Sequence, residues 1–324
     1  MHRRRLETWP GWVFTIAVVV GLMALPWCNP GYRLLSFAVS TGIAGIVLYG
    51  LAIPFGQAGI LSLGYGGLMG FGAYTAAILS RDLGMDLWLA LPCSAIVSAL
   101  AAGVFGLPSL RISGHHFAIV TYVSCELLRI ALTNGGPFTG AATGLDLPPI
   151  GVLAGINMDK LANTYLLVVV VLLASMLVTW LVSRSGYGRT LRAIRDNEPL
   201  ARSIGINANL HKVGAFMLSG LFAGVAGDLQ AYNLRHISPD LYGGAVSISF
   251  ALMAMLGGAR TLYGPLAGAI IVSFLPEVLN VDPVDSRIAY GVGLIAVIML
   301  LPGGVIAAVL RVYQWLLRGR RAGP

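Results

Sequence analysis

The sequence predicts an all-α polytopic membrane protein, with about ten transmembrane helices in two halves and both termini in the cytoplasm. Three observations carry that prediction. Hydrophobic residues fill 57% of the 324 positions and charged residues 10%, with a mean hydropathy of +0.81 that is far above a soluble domain. The apolar residues fall into runs long enough to cross a bilayer, and Arg and Lys collect between alternate runs. The net charge of +8 and pI near 9.7 therefore mark membrane orientation. A nucleic-acid partner is not expected, because it would need the basic residues on a solvated face of a folded domain.

Taken in order, residues 1–26 join a basic start to an apolar run, as a signal peptide does. No small-x-small cleavage site follows, and Leu25-Pro26-Trp27-Cys28 makes a poor lipoprotein box, so an uncleaved first span over 11–29 is expected. Further spans are expected over 32–53, 64–80, 87–106, 114–133, 162–182, 212–234, 243–257, 264–280 and 287–310, with 64–80 and 243–257 short. The chain then reads as a single membrane domain over 1–324. Its first half covers 11–133, an outer loop 134–161 and a second half 162–310, which holds a cytoplasmic loop at 183–211; a basic tail follows at 311–324. With the N-terminus inside, fifteen Lys/Arg lie on the cytoplasmic side, five lie outside and Arg129 sits within a span. That is the asymmetry the positive-inside rule demands.

Five spans in each half would set the halves antiparallel, the arrangement of an inverted repeat around a pathway. The likeness of GQAGIL at 56–61 to GVAGDL at 224–229 fits that arrangement. In the tract PFGQAGILSLGYGGLMGFG, Pro54, Gly56 and Gly59 break the helix, and broken backbone at membrane depth is tolerated where it is buried in protein or lines a cavity. Gly56, Gln57, Gly59, Ser62 and Tyr65 are therefore candidates for a translocation path, against the plainer reading that the glycines permit close helix packing. Glu126 joins them as an intramembrane ionisable residue, although Arg129 shares its helix face and neutralises it. Asp228 and Glu277 are expected near outer helix ends, within reach of water.

Ser183 to Lys212 is the only long polar stretch, with six Lys/Arg against Asp196 and Glu198. It reads as two short helices. Leu191 and Ile194 recur at helical spacing between Tyr187 and Asp196, and Asn197-Glu198-Pro199 supplies a cap and a first-turn proline. Leu200 to Ile204 continues the second helix, and Gly205 stands where a left-handed cap ends it. Such a segment is either a basic loop anchoring two spans or a helix pair that another protein grips.

The only lysines, Lys160 and Lys212, lie outside any GxxxxGK[ST] frame, no HExxH pair occurs, and Cys28, Cys93 and Cys125 lack CxxC spacing. Neither an enzyme nor a metal site nor a disulfide framework is expected.

Four stretches occur in order: GQAGILSLGYGGLMGFGAYTAAIL, LRISGHHFAIVTYVSCELLRIALTN, GYGRTLRAIRDNEPLARSIGI and LGGARTLYGPLAGA. Together they resemble the branched-chain amino acid ABC transporter permeases of the LivM type, over most of the chain. The third looks like their cytoplasmic coupling loop. The resemblance implies a multi-pass subunit of the bacterial inner membrane that moves branched-chain or related small amino acids inward. It also implies partners: a second related permease, two cytoplasmic ATPases carrying ATP and Mg, and a periplasmic substrate-binding protein. No cofactor is expected on this chain. Coupling to the ATPase would fall to Gly188, Arg189, Leu191, Arg192, Ala193, Arg195, Asn197, Glu198, Ala201, Arg202 and Gly205. The arginines would offer charge-assisted contacts, and Leu191, Ile194, Leu200 and Ile204 an apolar ridge. Pro199, Leu200, Tyr65, Gly66-Gly67 and His115-His116 depart from the usual pattern. Two alternatives stay open, a similar permease for urea or short amides and an ion-coupled secondary transporter using Glu126.

Overall fold

The computed structural model describes residues 31–109, 115–149, 152–153, 156–157 and 160–279, together with Gly21, Met23 and Pro26. Apart from those three positions, the spans expected over 11–29 and 287–310, both termini and the 311–324 tail lie outside these residues. Ten α-helices follow one another among the described residues. They are α1 (Tyr32–Leu51), α2 (Tyr65–Leu83), α3 (Leu87–Ser109), α4 (His115–Thr133), α5 (Leu161–Arg184), α6 (Gly186–Asp196), α7 (Glu198–Ser203), α8 (Ala208–Leu234), α9 (Gly244–Gly257) and α10 (Gly264–Leu279). Among the described residues, six helical stretches are long and apolar enough to cross a membrane: Tyr32–Gln57, Leu87–Leu107, His116–Thr133, Leu161–Arg184, Ala208–Leu234 and Pro239–Gly257.

The predicted span over 64–80 is a helix, α2, but it falls short of that apolar standard for a physical reason. α2 runs through the middle of the bundle, and its glycines let three neighbours reach its backbone. A Cβ on Gly72 would lie 2.3 Å from the Gly224 carbonyl oxygen of α8, and one on Gly67 would meet Cys125 of α4 at 3.2 Å. A Cβ on Gly70 would lie 2.9 Å from Tyr242. A helix enclosed by protein does not have to satisfy lipid, so small residues replace long aliphatic ones. α8 packs most extensively against α3 and α2. By contrast α3 and α5 expose Leu89, Ile96, Leu100 and Val104, and Val170, Leu177 and Leu181, as helices that face acyl chains do.

Segments that charge counting sets on one side of the membrane meet at one end of the bundle. At one end, residues 56–59, the α6–α7 pair and the 259–260 turn come together. At the other, Tyr232 Oη donates to the Met85 carbonyl at 3.3 Å and Arg81 Nη1 to the Pro137 carbonyl at 3.3 Å. There β1 (Leu145–Asp146) pairs antiparallel with β4 (His236–Ile237), Leu145 opposite Ile237, and the Asp146 carboxylate lies 2.7 Å from His236 Nδ1. A second small ladder joins β2 (Val152–Leu153) to β3 (Ile156–Asn157).

Two expectations are corrected. Asp228 does not reach water: α3 covers it completely, and its Oδ1 accepts a hydrogen bond from Ser94 Oγ at 3.2 Å. The Glu277 side chain lies outside the described residues. The likeness between 56–61 and 224–229 falls on unlike backbone, since the first segment leaves its helix whereas the second lies within uninterrupted α8.

Candidate functional site

The helix pair is a built element. Ser185 Oγ accepts from the Gly188 N–H at 3.2 Å and so caps α6, while Asn197 Oδ1 accepts from the Leu200 N–H at 3.0 Å and caps α7 behind Pro199. Gly205, at φ +89°, turns the chain back toward α8, which Asn207 caps in the same way. α6 is pressed onto the last turn of α5, where a Cβ on Gly188 would lie 2.3 Å from the Val182 carbonyl oxygen. Tyr187 stacks on His211 with ring centroids 5.7 Å apart, and its hydroxyl donates to the His211 carbonyl at 2.7 Å. Burial pushes that phenol up to about 12, so it stays a donor. Glu198 accepts from Lys212 at 2.6 Å and from Arg202 at 2.8 Å. Burial opposes ionisation of its carboxyl, but the bonds from Lys212 and Arg202 outweigh burial and hold it below the usual carboxylate range.

These anchors decide which way each side chain turns. Leu191 is fully buried in the main core, and Ile194, Ala201 and Ala208 form a second small core with Ile206. The apolar ridge expected from Leu191, Ile194, Leu200 and Ile204 is thereby corrected in its first half: Leu191 and Ile194 are buried, because an amphipathic helix buries the stripe that identified it, while Leu200 and Ile204 stay exposed. What faces outward is Arg189, Ala193 and Asp196 on α6, then Arg202 with Leu200, Ile204 and Leu210, which are 61%, 71% and 69% exposed. Leu210 was not singled out from the sequence. Its signal was its place one turn after the capping Asn207, on the same exposed corner.

Arg192 and Arg195 turn inward to the broken helix. α1 continues as a π-helical segment, Ala52–Gln57, and Gly59 follows in the left-handed region at φ +73°. Arg192 Nη1 donates to Gln57 Oε1 at 2.8 Å and to the Ser183 carbonyl at 2.7 Å, while Arg195 Nη1 donates to the Gly56 carbonyl at 2.7 Å. Residues singled out separately, in the polar loop and in the glycine tract, thus share one site.

The other pathway candidates are not drawn into it. Ser62 is buried and accepts from the Gly64 N–H at 3.2 Å, and the Tyr65 hydroxyl bonds to the Ser219 hydroxyl inside the bundle. Glu126 is more than half of a local ion pair. Its Oε2 accepts from Arg129 Nε at 2.8 Å and its Oε1 from the Gly244 N–H at 2.6 Å, so it caps α9, while Arg129 Nη1 reaches Asp240 at 3.0 Å. A half-open cavity lies between α2 and α4, lined by Gly64, Gly67, Phe71, Thr121, Ser124 and Cys125 among others. None of Gln57, Ser62, Tyr65 or Glu126 lines it. The i, i+3, i+4 spacing of Thr121, Ser124 and Cys125 was the available signal. Among the described residues no group of three metal-ligating side chains occurs.

A bundle of membrane-length helices around a glycine-opened centre, with a rigid amphipathic helix pair at one end, has the form of a transport permease. The chain belongs to the family described as branched-chain amino acid transport system / permease component, whose profile matches residues 33–310. It is a multi-pass protein of the bacterial inner membrane. Over 317 residues it is 29% identical to the high-affinity branched-chain amino acid transport system permease protein LivM of Salmonella typhimurium, covering 91% of this chain and 74% of that one. The Escherichia coli K12 protein of that name is 28% identical over the same shares. The ribose import permease protein RbsC of Haemophilus influenzae is 25% identical over 84% of this chain and 85% of its own. No solved structure matches.

Proposed function

We propose that this chain is the permease subunit of a binding-protein-dependent ABC importer, moving branched-chain or related small amino acids inward on ATP hydrolysed by separate subunits. The observation that carries this reading is the α6–α7 pair, capped, anchored by its own small core and exposed along Arg189, Ala193, Leu200, Arg202 and Ile204. A loop that merely joined two spans would need neither the caps nor the second core. Two cytoplasmic ATPases, holding ATP and Mg, grip that face; Gly205 and Asn197 set its shape, and Glu198 fixes it to Lys212.

In this reading the basic end is cytoplasmic, ten spans place both termini there, and halves over 11–133 and 162–310 form an inverted repeat. The positive-inside count supports it, as does the meeting of same-side segments at each end. A second related permease completes the pathway, and a periplasmic binding protein delivers the substrate. The choice of branched-chain amino acids is supported by the family description and the two relatives of that title.

The test is to purify the tagged chain from its own membranes in mild detergent and identify its companions by mass spectrometry. The preparation is then reconstituted with its binding protein, and uptake of labelled leucine is measured. A second permease, ATPases and ATP-dependent uptake are expected. A chain that stays alone under crosslinking and moves leucine down an ion gradient overturns the reading. ATP-driven uptake of ribose instead of leucine would overturn only the substrate.

A further inference from the structure

We infer that Arg192 and Arg195 are positioning residues that carry the movement of the docking pair into the membrane, by gripping the broken segment 56–59. This rests on the docking reading above but assigns these two arginines to a different task from partner contact. Three observations converge on four residues of backbone.

First, the segment is the soft point of its helix. The π-helical segment Ala52–Gln57 contains Pro54, and Gly59 at φ +73° ends the helical path, so motion applied there meets no continuous ladder. Second, α6 holds it by side chains that are partly buried. Arg195 donates to the Gly56 carbonyl and Arg192 to the Gln57 amide oxygen, and the Arg195 stem lies against Gly59, where a Cβ would meet its Cγ at 2.7 Å. A guanidinium fork can hold a carbonyl while its stem packs, which a lysine does less well. Third, the segment's far side bears on another element. A Cβ on Gly56 would lie 2.2 Å from the Ala259 carbonyl oxygen, in the turn between α9 and α10.

A push on α6 therefore passes through two arginines to 56–59 and on to the α9–α10 turn. α6 is fixed firmly enough to transmit it, since Gly188 abuts α5, Tyr187 is tied to the start of α8 and Leu191 is in the core. Such a chain of packed and hydrogen-bonded groups is what physical coupling between distant sites requires.

The experiment uses the whole assembled complex in proteoliposomes, with leucine and the binding protein as probe. Arg195→Met keeps the stem and removes the donors, Arg195→Lys keeps one charge, and Gln57→Leu removes only the acceptor for Arg192. Expected are complexes that retain their ATPase subunits, with ATP consumed per leucine moved rising about tenfold in Arg195→Met, the scale of one lost charge-assisted hydrogen bond. Arg195→Lys should recover part of that loss, and Gln57→Leu should raise the ratio by about threefold, less than Arg195→Met because Arg192 keeps its bond to the Ser183 carbonyl. A merely structural role would lower the melting temperature without changing the ratio. Unchanged ratios in well-assembled Arg195→Met and Gln57→Leu complexes overturn the linkage and leave docking intact. Loss of the ATPase from Arg195→Met assigns the arginine to the partner contact and likewise overturns it. If even the wild-type chain holds no ATPase, the docking reading itself falls and the linkage with it.

Discussion

Replacing Leu200 and Ile204 together by serine should weaken the grip of the ATPase on the permease without unfolding either. Full burial of a leucine or isoleucine side chain is worth about 2 kcal/mol. Both side chains are still largely in water in the free chain, 61% and 71% exposed. Scaling by those fractions leaves about 2.6 kcal/mol to be gained by the pair on docking, or roughly 70-fold in Kd. That figure is a ceiling, because interface area converts to affinity incompletely. Neither residue belongs to the small core of Ile194, Ala201 and Ala208, so the melting temperature should hardly move. The assay is titration of purified ATPase onto immobilised permease in detergent, wild type beside Leu200→Ser/Ile204→Ser. A change below about threefold would sink the claim that this corner is gripped, since one rim contact could supply that much.

Four further outcomes follow from the geometry. Gly72→Ala would press its methyl group to 2.3 Å from the Gly224 carbonyl oxygen, and should destabilise the bundle by about 1–3 kcal/mol, read as a lower melting temperature. Gly205→Ala meets nothing within 4 Å, so its cost should be the backbone term alone, about 1 kcal/mol, with ATPase binding retained. The Glu198 carboxyl is held below its ordinary value of 4.5, so its stabilisation is full above that pH and is lost as pH falls through the lowered folded value. The melting temperature of wild type should therefore drop below pH 4.5 more steeply than that of Glu198→Gln, and parallel curves would refute the assignment. Glu126→Gln should lower stability by about 1 kcal/mol through the weakened cap on α9, while ATP-driven leucine uptake persists; loss of an ion dependence would instead revive the secondary carrier.

Much of the fold was legible because membrane length leaves a plain mark: the expected spans from 32–53 to 264–280 each coincide with a helix to within a few residues. The helix pair was legible too, since Asn197, Pro199 and Gly205 have backbone meanings independent of tertiary context. Orientation of its faces was not. Leu191 and Leu200 are the same residue type, one on each helix of the pair, and the approach of α6 to α5 at Gly188 buries the first while the second stays in water. Nor could the sequence name the partners of Arg192 and Arg195. Their acceptors lie 135 and 139 residues earlier, and one is a peptide carbonyl, which every residue carries alike. Asp228 was misplaced for a related reason: its depth follows from how α3 crosses α8, not from its position along α8.

The placement of charge bears on where energy can enter the bundle. An ion-driven carrier needs a carboxylate that changes partners as the pathway opens. Glu126 has both oxygens engaged, one by Arg129 and one by the α9 N-terminus, and it does not line the cavity between α2 and α4. Asp228 is enclosed between α3 and α8 and does not line that cavity either, whose walls carry hydroxyl, thiol and apolar groups but no charged side chain among the described residues. The charged groups that take hold of the broken 56–59 segment are Arg195, on the Gly56 carbonyl, and Arg192, on the Gln57 side chain, and they belong to the helix pair at the end of the bundle. Work delivered through them reaches the chain where a proline, a π-helical turn and a left-handed glycine have already loosened it. The stiff parts of the structure thus lie on the input side, in the anchored helix pair, and the compliant part lies where that pair takes hold.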